Sequence, residues 1–153
     1  MKLSCTIVSP MFLLVFVSLA SAEPQLEKAR DAAQVEKMIS IADELSLDKA
    51  QEKIFWPLYD RYQQDLRRLG DKRIAFIKDI QSKEKSLTDA QASELIRRAL
   101  SLEEERLGVK RRNAALFLEK LPPRIVARYL QLENRIQTDA DAQIAAKVPL
   151  VGN

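Results

Sequence analysis

The chain has 153 residues, with 25 basic against 22 acidic side chains, a net charge of +3, no His and a single Cys. A balance this even argues against a nucleic-acid binder held by charge. One Cys cannot close an intramolecular disulfide, and the lack of His removes the commonest general base and a principal zinc ligand.

The first segment reads as an address rather than as fold. Met1-Lys2 supplies a short positive start, and Ile7 to Leu19 is apolar apart from Ser9, Pro10 and Ser18. Ala20-Ser21-Ala22 then gives the small-x-small pattern of a signal-peptidase site, so residues 1–22 are expected to be a secretory signal peptide cleaved after Ala22. The run is shorter than the roughly 20 residues a spanning helix needs. Cys5 precedes the apolar run instead of following it, so lipid attachment is not expected. Cleavage would leave residues 23–153, without Cys or His and with Met38 as the one Met. That length suits one domain, expected over residues 23–147, followed by a short apolar tail, residues 148–153.

Ala, Leu, Glu, Lys, Arg and Gln dominate the rest, and Gly occurs only at 70, 108 and 152. This is helix composition, and the expected class is all-α with four helices. The first spans about 25–45, with Ala33, Val35, Met38, Ile41, Ala42 and Leu45 at three- and four-residue steps. The second spans about 49–81, with the stripe Phe55, Tyr59, Tyr62, Leu66, Leu69, Phe76, Ile80. The third spans about 89–120, and the fourth starts at Pro122-Pro123 and runs to about 146. Such spacing holds the apolar side chains on one helix face.

The helix starts carry explicit signals. Leu87-Thr88-Asp89-Ala90-Gln91 fits a capping box, in which Thr88 accepts from the Gln91 N–H and Gln91 reaches back to the Thr88 N–H. Leu47-Asp48-Lys49-Ala50-Gln51 repeats the arrangement with Asp48 as cap. Pro122-Pro123 suits a first turn, where a missing N–H costs nothing. Pro57, inside the second helix, should bend it. An antiparallel hairpin of the second and third helices centred near Lys85 would set Tyr62 level with Gly108 and Gly70 level with Leu100, pairing large with small.

The third helix has more apolar surface than one partner helix can cover. One stripe is Leu95, Ala99, Leu102, Val109, Leu116; a second, rotated by about 100°, is Ile96, Leu100, Leu107, Ala114, Leu118. A helix in a plain hairpin needs one such stripe. The surplus is expected to meet a third helix, a second subunit or a bound client, and the sequence leaves open which stripe faces inward.

The recurring Leu-Thr-x-x-Gln pattern resembles the Spy/CpxP family of small periplasmic proteins. Leu87-Thr88-Asp89-Ala90-Gln91 matches it outright, and Leu47-Asp48-Lys49-Ala50-Gln51 matches with Asp for Thr. Leu121-Pro122-Pro123-Arg124 stands where such proteins often carry Leu-Thr-Pro-Glu-Gln, and it lacks the Thr, Glu and Gln. The resemblance covers about residues 39–136 and the leader. It implies an all-helical, cradle-like antiparallel homodimer in the periplasm. It also implies one of three roles: an ATP-independent chaperone for unfolded envelope proteins, a protein that damps an envelope-stress sensor kinase, or, in a related branch, a metal binder.

Chemistry is not expected. Without His or Cys after the leader there is no transition-metal ligand set and no base or thiol nucleophile. Glu103-Glu104-Glu105 point about 100° apart on a helix and cannot converge on one ion. No Gly stands near another to cradle phosphate. Asp79–Lys83 and Glu94–Arg98 are expected as ordinary helical ion pairs. The residues that suggest binding are basic: Arg67, Arg68, Lys72 and Arg73 on the second helix, and Arg106, Lys110, Arg111 and Arg112 on the third. They could collar an apolar surface and draw in acidic clients, or be a solvated face. Contact with anionic lipid is conceivable but not predicted. Phe55, Tyr59 and Tyr62 follow the core stripe; Trp56, one position off it, is expected at a subunit interface or on the client face. The expectation is a holdase-type chaperone without enzyme activity or cofactor, a homodimer that binds unfolded clients. The alternative is a regulator that binds a sensor kinase's periplasmic domain.

Overall fold

In the computed structural model the described residues are 22–83, 87–146 and 148. The expected leader except Ala22, the hairpin centre at Lys85 and most of the expected tail lie outside them. Four helices account for the described fold: α1 Ala22–Leu45, α2 Lys49–Lys83, α3 Asp89–Leu118 and α4 Pro123–Ala145. The described residues contain no strand, and each helix starts or ends within a few residues of its expected limits. The chain divides into two compact units, residues 1–39 and 40–153. The division falls within the stretch expected as one domain. In the first unit the described part is helical, with Val35, Met38 and Ile39 exposed on it.

In the second unit, local chemistry fixes each boundary. α1 ends at Leu45 because Ser46 turns into the left-handed region, with φ +49°, a backbone state that costs a residue with a Cβ. Asp48 then opens α2: its Oδ1 accepts from the N–H groups of Ala50 and Gln51, both at 2.8 Å, and Gln51 Oε1 accepts from the Asp48 N–H at 3.1 Å. Thr88 and Gln91 make the same reciprocal pair at the start of α3, at 2.9 and 3.3 Å. Both capping boxes form as the sequence suggests, and each satisfies N–H groups that a first turn leaves without helical partners. At α4, Pro122 occupies the cap position and makes no side-chain cap bond. Its carbonyl accepts from Ile125 and Val126 instead.

α2 and α3 run antiparallel, and α3 packs on α4 as well. The pairs Asp65–Asn113, Lys72–Glu105 and Asp79–Arg98 set the register. It differs from the expected one by about two helical turns. Gly70 has open space where a Cβ would stand, and at Gly108 only the tip of Arg112 approaches. The expected large-on-small pairings at these glycines therefore do not occur. Asn113, fully buried, donates from Nδ2 to Asp65 Oδ2 at 2.9 Å. Apolar ring packing of Phe55 on Phe117, a buried polar contact and ion pairs, rather than glycine notches, accompany this register.

The core lies at one end of the helices. Ile41 and Leu45 of α1, Phe55, Tyr59 and Tyr62 of α2, Val109 and Phe117 of α3, Leu121, and Val126, Tyr129 and Leu132 of α4 form a single buried cluster. Its centre is aromatic. Tyr129 meets Phe55 edge-on at 5.0 Å between centroids and Phe117 at 5.0 Å. Edge-to-face rings add about 0.5–1.5 kcal/mol beyond the area they bury. Towards the α2–α3 turn, the two helices contribute only Leu69 and Leu95 as buried apolar residues between positions 63 and 108. That half is joined by half-buried apolar residues and by ion pairs.

Candidate functional site

The two stripes of α3 have different fates. In the first, Leu95 and Val109 are buried and Ala99, Leu102 and Leu116 are half-buried. In the second, Ile96 and Leu100 are each 61% exposed, Leu107 47% and Leu118 51%. Only Ala114, the smallest member, is half-buried. Helical rise puts Ile96 and Leu118 about 33 Å apart along the axis. An apolar seam of this length on a helix already packed on two sides is not needed to close the fold of this unit.

The basic residues do not form one outward collar. Arg73 of α2 donates to Asp141 Oδ1 at 2.6 Å, and Arg106 of α3 donates to Asp141 Oδ2 at 2.7 Å. One carboxylate of α4 thereby joins three helices. Arg73 and Arg106, expected on a binding surface, are turned into the seam between helices because Asp141 offers two acceptor oxygens there. Arg106 also pairs with Glu103, Lys72 with Glu105, and Arg68 with Asp65, while Lys110 donates to Asn134 at 3.2 Å. Arg67, Arg68, Lys72, Arg111 and Arg112 are exposed. Arg111 stands one turn after Leu107 and two before Leu118, at the edge of the exposed seam.

Other sequence-based placements separate in the same way. Trp56 is half-buried and packs edge-on against Phe55 at 5.0 Å and Tyr59 at 5.4 Å, so it edges the aromatic core. Leu47 packs on that core too, and Leu87 is half-buried. Lys83 pairs with Asp79 as expected, at 2.6 Å. Arg98 reaches across to Asp79 rather than to Glu94, and its guanidinium lies 5.2 Å from the centre of the Phe76 ring. Glu94 pairs with Arg97. Of the acidic run, Glu103 and Glu105 engage cations of the protein itself. Among the described residues no three His, Cys, Asp or Glu side chains gather as a metal site. No helix there is long and apolar enough to cross a membrane.

Sequence reasoning missed the polar side chains that order α4. Glu133 is buried, and its Oε2 accepts from Gln63 at 3.3 Å and from the Tyr129 hydroxyl at 3.4 Å. Asp141 receives Gln137 at 3.0 Å besides the two arginines. Tyr129, Glu133, Gln137 and Asp141 follow one another at four-residue steps, so they form a ridge on one helix face that starts in the core. A polar ridge continuing a core position was the signal available. Partial burial pushes the Asp141 carboxyl up, but bonds from Arg73 and Gln137, the Arg73 charge and the Arg106 bond outweigh it. The group is held below the ordinary carboxylate range. At Asp79, bonds from Lys83 and Arg98 do the same. Burial, then the Glu133 charge, push the Tyr62 and Tyr129 hydroxyls above the ordinary tyrosine value.

Two cavities flank this ridge. One of about 410 Å³ is lined by Tyr62, Leu66, Leu107, Glu133, Gln137 and Asp141 among others. The second, about 370 Å³, lies among Phe76, Ile77, Ala99, Leu102, Ile144 and Val148. No protein-family model, no curated protein and no solved structure matches this chain.

Proposed function

We propose that the protein is a holdase-type chaperone of the Spy/CpxP kind, exported to the periplasm, which binds unfolded or partly folded envelope proteins without ATP, cofactor or covalent chemistry. The observation that carries this reading is the exposed seam of Ile96, Leu100, Leu107 and Leu118. Full burial of a Leu or Ile side chain contributes about 1.5–3 kcal/mol, so covering four half-exposed ones contributes a few kcal/mol. That supports a loose, reversible grip suited to many clients. Because most of the eight basic residues have partners within the protein, the grip is mainly apolar. Arg111 supplies basic charge at the edge of the seam.

The resemblance implies a homodimer, and a second copy is one way to cover part of the seam. The test is a client-protection assay. Equimolar protein should delay the aggregation of a chemically unfolded client, with modest weakening as salt rises. No delay at any salt concentration rejects the chaperone reading. Capture of a single sensor-kinase periplasmic domain without general protection replaces it with the regulatory one.

A further inference from the structure

We infer that the C-terminal half of α4, residues 134–145, is a strap fastened by Asp141, and that its release uncovers a second apolar strip on α2 and α3. The two halves of α4 are held differently. The buried residues of the helix are Val126, Tyr129, Leu132 and Glu133, all in its first half. None of residues 134–145 is buried. Their attachments are the Asp141 bonds to Arg73 and Arg106, the Asn134–Lys110 bond, and partial contact through Ile136 and Ile144.

Charge at its end does not help this half of the helix. Its last turn has no basic residue, whereas Asp139 and Asp141 place negative charge towards the end where the helix dipole favours cations. Docking on Arg73 and Arg106 offsets that penalty, so the charged part of the docking rests on one carboxylate. Beneath the strap lie Phe76 and Ile77 of α2 with Ala99 and Leu102 of α3, all half-buried, facing Ile144 and Ala145 across the second cavity. Elements with few buried apolar contacts are the ones that open locally below the global unfolding energy. Opening here would widen the apolar surface of α3 from one stripe to two. That use of the strap, though not its existence, rests on the chaperone reading.

Hydrogen exchange on the full chain tests the strap. In Asp141→Asn, amides of residues 136–145 should exchange about tenfold faster, while those of residues 123–133 keep wild-type protection. Asp141→Glu should restore part of the protection. If residues 136–145 exchange as in the wild type, the strap is overturned. If Asp141→Asn loosens all of α4, wild-type protein decides, on going from about 0.01 M to about 1 M ionic strength, which shortens the Debye length from about 30 Å to about 3 Å. Selective acceleration of 136–145 supports the strap, and uniform or absent acceleration overturns it. A client-protection assay on the same variant separates the two readings. Faster exchange with greater protection supports both, and faster exchange with unchanged protection leaves the strap standing and contradicts its use in client capture.

Discussion

Leu95 and Ile96 are chain neighbours on α3, yet Leu95 is 7% exposed and Ile96 61%. The 100° turn between them is the line between the packed face and the open one. Leu95→Ala should therefore lower unfolding free energy by about 2–3 kcal/mol, as large-to-small changes at buried sites do. Ile96→Ser should move it by no more than about 0.5 kcal/mol, the range for exposed sites. Urea denaturation of the two variants measures both. Equal losses would mean that the second stripe is packed in solution.

The turn between α1 and α2 combines a penalty and a compensation. Ser46 holds a left-handed backbone angle, and two residues later Asp48 caps α2. Ser46→Gly should raise stability by about 0.5–1 kcal/mol, because glycine adopts that angle freely. Asp48→Ala and Thr88→Ala should each lower it by about 1 kcal/mol through loss of the cap. Thermal melts followed by circular dichroism would resolve the opposite signs.

Phe117 touches both Phe55 and Tyr129 in the aromatic cluster. Phe117→Ala should cost about 3–5 kcal/mol, the range for deleting a buried ring. Trp56 packs edge-on against Phe55, so its emission should report the loss directly. A shift to longer wavelength at low denaturant is the expected result.

Stability should fall at both pH extremes, for opposite reasons. Asp141 and Asp79 hold their protons less tightly folded than unfolded. Their contribution is fully present well above the unfolded carboxylate value of about 3.9 and disappears as pH drops below it. Tyr62 and Tyr129 hold theirs more tightly folded. Above the unfolded tyrosine value of about 10 the unfolded chain sheds protons first, so stability falls as pH rises. Unfolding midpoints from pH 2 to 12 should form a dome. Asp141→Asn should flatten its acid side, and Tyr62→Phe its alkaline side.

Helices and caps were legible because their signals are local. The Thr88–Gln91 and Asp48–Gln51 pairs lie three residues apart, and the stripe Phe55, Tyr59, Tyr62 repeats within one helix. The register of α2 on α3 was not legible, because it shows in Phe55–Phe117, Asp65–Asn113 and Asp79–Arg98, pairs that lie far apart in sequence. The inward turn of Arg73 and Arg106 was hidden for the same reason. Nothing near Arg73 or Arg106 announces that Asp141 will accept both. The open stripe of α3 was legible as a surplus, but its orientation needed the positions of α2 and α4.

The most direct measurement is a client-protection titration of wild-type protein against a variant in which Ile96, Leu100, Leu107 and Leu118 are all Ser, with matched unfolding midpoints. If those four side chains are the surface that grips clients, the variant folds normally and needs at least about tenfold more protein for equal protection, a loss of about 1.4 kcal/mol. Equal protection by a normally folded variant would show that clients are held elsewhere and would contradict the assignment.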